Sequence, residues 1–424
     1  MGKLKLKIKD FGSISGAELE LGKINIIAGV NGSGKTTASK ILYSFLISLT
    51  HEGIDFHNKE IINYFNNILS FVRLNPEYSF FHDTEIFDIE KKVLANNFSL
   101  KDFEYVLNEL KSSDLIYSSK NFKESIEKLE DNVLIKNNIN KRISLIFKEI
   151  IENEFSQDIG HNNNTSATLQ NGNGGFSVNF PLTESNINYK KINFPINGVF
   201  YIETPFIFDF LNVGTFKNDF GIFLFHQLSL IRYLALNEKK SKSYFEKKGN
   251  ELNGNPLDII QNIMQGKIQY DKKKEKFTYK KSNDSEYEIK NTAAGIKTIG
   301  ILQGLLNNGL DTNSFIIMDE PEVHLHPSWQ IKLAEAIVLL SKYENINFYI
   351  NSHSPQFIEA IDVYSKRYEL ENETNFYITQ EKKDLGKFDF IKIERNQLKI
   401  LYRDLSNSYN IIDRVGAENF AKDF

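Results

Sequence analysis

Along residues 3–9 (KLKLKIK) lysine alternates with leucine or isoleucine, a period of two that predicts an edge strand. Residues 21–29 (LGKINIIAG) carry a short apolar run, INIIA, and then glycine, which predicts a buried strand feeding a tight loop. Over 36–49 (TTASKILYSFLISL) the apolar residues fall at helical spacing. The chain therefore opens as strand, glycine-rich loop, helix. Residues 55–158 are mainly helical in pattern. KEIINYFNNILSFV, KDFEYVLNELKS, FKESIEKLED and NKRISLIFKEIIENEF each place apolar residues three or four apart. Residues 161–175 (HNNNTSATLQNGNGG) cluster Asn, Ser, Thr and Gly and read as a disordered-looking surface loop.

Short strand-like runs follow at 176–180 (FSVNF), 187–194 (INYKKINF) and 197–206 (NGVFYIETPF). Residues 222–236 (IFLFHQLSLIRYLAL) predict a helix, and 267–290 alternate as an antiparallel meander with charged turns. From 293 the pattern becomes α/β again. A helix opens on small residues, and a buried strand (SFIIMDE, 314–320) ends in two acids. A helix at 328–343 is then followed by a second buried strand (INFYINSHSP, 346–355) that ends in polar residues. Two further strands (FYITQ, FDFIKIE) and a short helix close the chain. The pattern divides into an N-terminal lobe at 1–48, a mainly helical insertion at 49–195, mixed helix and antiparallel strand at 196–290, and a C-terminal lobe at 291–424. Two α/β segments at the ends, with an insertion between them, predict one core split in sequence.

A length of 424 residues allows two or three domains, or one domain with a large insertion. The chain is 41% hydrophobic and 25% charged, a globular composition, and 34 Phe with 19 Tyr supply ample aromatic surface for a core. The absence of cysteine excludes disulfides, thiol catalysis and cysteine-ligated zinc or iron–sulfur sites, and it fits a reducing compartment. A net charge of −4 excludes a polycation built to coat nucleic acid, while a local basic face remains open. No stretch approaches the ~18 uninterrupted apolar residues of a membrane span, and the N-terminus lacks a signal peptide's continuous apolar core. The expectation is a cytoplasmic protein with no membrane partner.

Four segments carry candidate chemistry. The first is Gly29-Val30-Asn31-Gly32-Ser33-Gly34-Lys35-Thr36, which matches G-x-x-x-x-G-K-[ST] at every fixed position between a strand and a helix. In that motif the backbone N–H groups of the glycine turn, from Gly29 and Asn31 through Gly32, Ser33 and Gly34 to Thr37, wrap the phosphates of a nucleotide. Lys35 reaches the β/γ-phosphates and the Thr36 hydroxyl binds Mg2+. The second is the strand that ends in Asp319 and Glu320. Read alone it is also an ordinary acidic turn. Paired with the phosphate loop, Asp319 would hold Mg2+ and Glu320 would polarise the attacking water. The third is Asn351-Ser352-His353-Ser354-Pro355, where His353 could contact the γ-phosphate or be simply structural. The fourth is Thr292-Ala293-Ala294-Gly295-Ile296-Lys297, a helix start that could cap an anion and that resembles many other helix starts.

Together these segments resemble the ABC-type ATPase fold, specifically its SMC- and RecF-like branch: phosphate loop, long insertion, signature helix, acid-ending strand, switch histidine. Asp319-Glu320-Pro321-Glu322-Val323-His324-Leu325-His326-Pro327 and Ser352-His353-Ser354-Pro355 are similar to the D-E-P-E-x-x-L-H-P and T-H-S-P of the prokaryotic overcoming-lysogenization-defect-like group of AAA-family ATPases. The resemblance implies an α/β P-loop NTPase with a split two-lobe head and a mainly helical insertion. It implies ATP and Mg2+ as cofactors, with Glu320, His353 and Lys35 as catalytic residues and Thr36 and Asp319 at the metal. It also implies a head-to-tail homodimer, or a higher assembly of dimers, in which the partner's phosphate loop meets Ala294, Gly295 and Lys297. This segment departs from the family's LSGGQ, because Ala294 stands where that pattern has serine. Gln227, between the lobes, is a candidate for the family's Q-loop glutamine. A TOPRIM nuclease domain is not expected after His353.

The resemblance points to an ATPase that acts as the sensor or regulatory subunit of an anti-phage defence or toxin–antitoxin system, with a separate effector such as a nuclease or toxin. The alternative is a RecF-like DNA repair ATPase. Lysine clusters at 239–248 and 272–276 could touch DNA or RNA, or form a solvated face.

Overall fold

A computed structural model describes residues 3–50, 139–155, 164–183, 186–210, 224–236, 255–383 and 386–399, save Lys272 and Glu275, together with Tyr402 and Arg414. The chain divides into two units, residues 1–50 with 148–424, and residues 51–147. Of the second unit, only 139–147 fall among the described residues. The three helices expected between 55 and 138 and the lysine cluster at 239–248 lie outside the described residues. So does most of the short closing helix.

An eleven-stranded mixed sheet organises the first unit. Strands β1 (Leu4–Phe11), β2 (Ile14–Leu21) and β3 (Ile24–Ala28) come from the start of the chain. Then follow β4 (Ser166–Asn171), β5 (Gly174–Asn179), β6 (Ile187–Lys190) and β7 (Val199–Ile202). The meander at 267–290 forms a separate three-stranded sheet of β8 (Gly266–Asp271), β9 (Lys276–Lys281) and β10 (Glu286–Glu288). Strands β11 (Phe315–Asp319), β12 (Asn347–Ser352), β13 (Thr374–Glu381) and β14 (Phe388–Ile393) complete the large sheet.

The order in the large sheet is β6-β5-β4-β1-β2-β14-β13-β3-β12-β11-β7. Strands β13, β3, β12, β11 and β7 are mutually parallel, and β6 to β1 form an antiparallel wing that continues through β2. β3 lies between β12 and β13, so the two ends of the sequence interleave in one sheet. That interleaving is the split core expected from the sequence. β3, β7 and β12 are buried along their whole length, the burial that a parallel strand covered on both faces requires.

Helix α1 (Lys35–Ser48) follows β3 directly. α2 spans Ile139–Glu154, α3 Phe225–Leu236, α4 Pro256–Met264 and α5 Ala294–Asn307. α6 (Pro327–Tyr343) and α7 (Pro355–Arg367) each start on proline. Their caps explain two motifs. The His326 side chain accepts a hydrogen bond from the N–H of Ser328, and the Ser354 hydroxyl accepts one from the N–H of Phe357. His-Pro and Ser-Pro are therefore N-cap and first helical residue, the position where proline's fixed φ costs nothing. One hydrophobic core joins Ile26, Phe200, Met318 and Ile350 of the parallel strands to Leu234, Ile260, Leu302, Ile337, Phe357 and Ile361 of the helices.

Two expectations are corrected. β1 is not an edge strand, because it pairs with β2 on one side and β4 on the other. Its period of two is that of a strand with one wet face: Leu4, Leu6 and Ile8 are buried while Lys7 and Lys9 are exposed. Within 161–175, residues 166–171 and 174–175 are not loop. They belong to the hairpin of β4 and β5, which turns at Gly172 and Asn173. Ala167 and Leu169 on β4 and Phe176 and Val178 on β5 point inward, and that burial outweighs the polar residues between them.

Ile350, fully buried in the middle of the parallel sheet, tests this core. Ile350→Ala should cost about 2–5 kcal/mol, read as a lower urea midpoint with unchanged slope. A shift too small to resolve would contradict the packing described.

Candidate functional site

The segments that leave the carboxyl ends of β3, β11 and β7 line a cleft of about 450 Å3, with β12 lying between β3 and β11 in the sheet. β3 delivers the glycine loop. Gly29 has φ +151°, and a Cβ there would fall 1.8 Å from the Thr379 hydroxyl of β13. Gly34, at φ +92°, caps α1 without any side chain, and a Cβ there would meet Ile14 at 2.6 Å. Both positions therefore need glycine for backbone conformation and for space. The first N–H groups of α1 have no partner within the helix, and no side chain caps them, so they face the cleft as donors for an anion.

Asn31, Gly32, Ser33, Gly34, Lys35, Thr36 and Thr37 all line the cleft. The Lys35 ammonium donates to the carbonyls of Gly29 (2.9 Å) and Val30 (2.8 Å), which leaves a third N–H for an anionic oxygen. Burial pulls its pKa below the usual lysine value, while Glu320, Asp319 and Glu322 act in the opposite direction.

The Thr36 hydroxyl donates to Asp319 Oδ2 at 2.6 Å. Asp319 Oδ1 accepts from the Asn351 side-chain amide at 2.9 Å, and the same amide donates to Ser39 at 2.8 Å. The Tyr201 hydroxyl also reaches Asp319 Oδ2, at 3.4 Å. Burial raises the Asp319 pKa, and the hydrogen bonds from Thr36 and Asn351 partly offset this. A hydroxyl and a carboxylate this close, beside a phosphate-binding loop, are hard oxygen donors that suit Mg2+.

Glu320 has φ +48°, in the left-handed region that non-glycine residues seldom adopt. Its N–H is held by the Asn351 carbonyl at 3.0 Å, and its Oε1 lies 3.1 Å from His353 Nδ1. His353 is half-exposed and meets the cleft through Glu320. Glu322, two residues on, is buried and turns the other way. Its Oε1 accepts from the Ser352 hydroxyl (2.6 Å) and from the N–H groups of His353 (3.1 Å) and Ser354 (3.3 Å). Burial raises its pKa. Asp-Glu-Pro-Glu thus presents two acids, Asp319 and Glu320, to the cleft and uses a third, Glu322, to brace the histidine loop.

Ala294, Gly295 and Lys297 do not line this cleft, although Thr298 does. A Cβ on Gly295 would lie 2.6 Å from the His324 carbonyl, so the start of α5 packs directly on the turn after β11. The Lys297 ammonium donates to the Lys290 carbonyl at 3.3 Å and lies over the Phe206 ring. Gln227 accepts a hydrogen bond from the N–H of Leu224 and does not line the cleft. In the lysine cluster at 272–276, Lys274 pairs with Asp271, and Lys276 pairs with Glu288.

One group has no counterpart in the sequence motifs. Glu203, just past β7, lines the cleft, and its carboxylate lies 3.5 Å from Lys40 and 3.2 Å from His226 Nε2. His226 Nδ1 lies 2.7 Å from Glu154. The strand-ending position of Glu203 is a signal the sequence does hold. His226 and Glu154 are brought in from helices remote in the chain.

The family profile described as AAA domain, putative AbiEii toxin, Type IV TA system matches residues 24–359. That span includes the glycine loop, the acid-ending strand and the histidine loop, and the likeness to P-loop ATPases is borne out. A retron Ec83 probable ATPase of Escherichia coli is 40% identical over 55 residues, 13% of this chain and 10% of that protein. A retron Vc95 probable ATPase of Vibrio cholerae serotype O1 biovar El Tor is 30% identical over 105 residues, 22% of this chain and 20% of that protein. The matched regions thus span a fifth or less of those relatives. Among solved structures, an SMC head domain from Thermotoga maritima matches at 10% identity and TM-score 0.36, covering 93% of this chain and 100% of that one. An Smc head bound to the C-winged helix domain of ScpA matches at 11% identity and TM-score 0.40, covering 93% of this chain and 98% of that one. The fold rests on the strand order above.

Two predictions follow from the site's bonding. Asn351→Leu removes the amide that positions Asp319, and it should weaken Mg2+-dependent nucleotide binding roughly 10–100-fold. A magnesium titration of nucleotide affinity reads this, and wild-type affinity would remove Asn351 from the role. The second concerns pH. Burial alone would raise Glu203, but His226 and Lys40 hold it down to about 2, against an ordinary 4.5. Burial alone would lower His226, but Glu154 and Glu203 hold it above its ordinary 6.5. Glu203's share of stability is lost as pH falls from 4.5 toward 2, and that of His226 as pH rises through its elevated value. The stability gap between wild type and His226→Gln should therefore be widest between pH 4.5 and 6.5. A gap that does not vary with pH, in thermal melts, would contradict this.

Proposed function

Because the chain belongs to the family described as AAA domain, putative AbiEii toxin, Type IV TA system, we propose that it binds ATP with Mg2+, hydrolyses the γ-phosphate bond, and uses that cycle as the sensor or regulatory subunit of a bacterial toxin–antitoxin or anti-phage defence system. The observation that carries the reading is the 2.6 Å hydrogen bond from Thr36 to Asp319, made beside Lys35 at the N-terminus of an uncapped helix.

Lys35 and the N–H groups of the glycine loop and α1 bind and orient the β- and γ-phosphates. Bound Mg2+, held by Thr36 and Asp319, would neutralise phosphate charge. Glu320 accepts the proton of the attacking water. His353, 3.1 Å from Glu320, orients that carboxylate and stands where it can sense the γ-phosphate. Catalysis of this kind rests on positioning and charge, with little covalent work for the protein.

Ala294, Gly295 and Lys297 lie outside the chain's own cleft, and in our reading they complete the cleft of a second copy in a head-to-tail homodimer. Closure of that dimer would hold or release a separate effector such as a nuclease or toxin in the cytoplasm. Of the lysines at 272–276, Lys274 and Lys276 are paired with acids, and those two give the DNA repair alternative no support.

Lys35→Ala should abolish nucleotide binding. Glu320→Gln should bind ATP yet turn it over at least about 100-fold more slowly, the scale of a lost general base. That variant should also collect as a dimer in ATP, seen by gel filtration with light scattering. Full turnover in Glu320→Gln would remove Glu320 from the role, and a monomer at saturating ATP would end the dimer reading.

A further inference from the structure

Behind the cleft wall lies a buried chain of charges. His226 is 1% exposed. Its two ring nitrogens each face a carboxylate, Nδ1 at 2.7 Å from Glu154 and Nε2 at 3.2 Å from Glu203. Glu154 also accepts the backbone N–H of His226 at 3.1 Å, so it fixes both the ring and the start of α3. Two ionised carboxylates can only accept, so with both ionised the ring must donate from both nitrogens, which is the imidazolium form. Tyr201 packs on one side of the ring, with centroids 4.6 Å apart, and Tyr43 meets it edge-on at 6.0 Å. Lys40 stands 3.5 Å from the other oxygen of Glu203. Among the described residues, Lys40, Tyr43, Glu154, Tyr201 and Glu203 are the titratable groups that face this cluster.

Glu203 reaches the nucleotide cleft by strand register. β7 pairs in parallel with β11, Ile202 opposite Met318, so the residues that come next are Glu203, just past β7, and Asp319, the last of β11. Neighbouring strands lie about 4.8 Å apart. Asp319, Glu320 and Glu203 therefore put three acids on a cleft that must admit a triphosphate. Two of them have work to do there. The third carries a charge that would repel the ligand unless something cancels it.

We propose that His226, braced by Glu154, is a positioning and charge-balancing residue of the nucleotide site: it holds Glu203 against the cleft wall and cancels its charge, so that the wall does not repel the triphosphate. Lys40 assists from α1. The raised pKa of His226 and the lowered pKa of Glu203 both favour the charged forms, against burial, which alone would favour the neutral ones. This inference rests on the ATP-binding reading above.

The test is a charge-rescue series read by binding of a fluorescent ATP analogue with Mg2+ at low salt. His226→Gln leaves Glu203 less compensated, and affinity should fall roughly tenfold, the order expected for one lost charge near the site. Glu203→Gln should bind the analogue severalfold more tightly than wild type. The double variant should return close to wild type, because both charges are gone. A merely structural role would weaken binding in all three, the double variant most. Glu203→Gln keeps the buried imidazole–Glu154 pair, so it still decides the matter if His226→Gln does not fold. Weaker binding by Glu203→Gln would overturn the proposal. If wild type binds no ATP analogue at all, the functional reading falls and this inference with it. If wild type binds and His226→Gln binds equally well, this inference alone falls.

Discussion

The parallel register of β3, β12 and β11 is the constraint on which the site depends. Asn351 stands opposite Ile27 on one side and Asp319 on the other. That alignment brings the glycine loop after Ala28 and the acid at the end of β11 to one sheet edge. It closes a hydrogen bond between residues 283 apart in sequence. A slip of one residue would turn each strand's side chains to the opposite face and dissolve the arrangement. Asn351 enforces the register from within, since one amide ties Asp319 to Ser39 of α1.

From that edge the local chemistry follows. α1 begins where β3 ends, and glycine in place of a capping side chain leaves its N–H groups to an anion. Glu320 takes a left-handed φ to turn from the strand toward His353. Conformations of this kind cost of order 1–3 kcal/mol and persist where surrounding structure holds them. Here the bond from its N–H to Asn351 and the bracing of the 352–354 loop by Glu322 do so. The cleft carries three carboxylates, Asp319, Glu320 and Glu203, and the last of them has His226 and Lys40 beside it.

Much of this is legible in the sequence where backbone geometry dictates residue type. The glycine loop is readable because Gly29 and Gly34 have neither the φ nor the space for a side chain. The acid-ending strand is readable because a fully apolar run that stops at Asp319 has one place to go in a parallel sheet. Asn351, Glu203 and His226 are not readable in the same way. Their roles arise from which strand lies beside which, and no local pattern encodes that. Period two shows that β1 has a wet face and a dry one, but not that it has two neighbours. The hairpin of β4 and β5 is hidden for a related reason: its inward Ala167, Leu169, Phe176 and Val178 are diluted by Asn, Ser and Gly. The Pro of Ser354-Pro355 and of His326-Pro327 is structural, the first helical residue behind a side-chain cap.

The central claim is that the cleft at the ends of β3, β12 and β11 is where a nucleotide binds. A crystal structure with Mg2+ and a non-hydrolysable ATP analogue tests it most directly. The account predicts β- and γ-phosphates against the N–H groups of Gly32 to Thr36 and the Lys35 ammonium, with the metal at Thr36 and Asp319. Nucleotide bound elsewhere on the chain, or a metal held without Thr36 and Asp319, would contradict it.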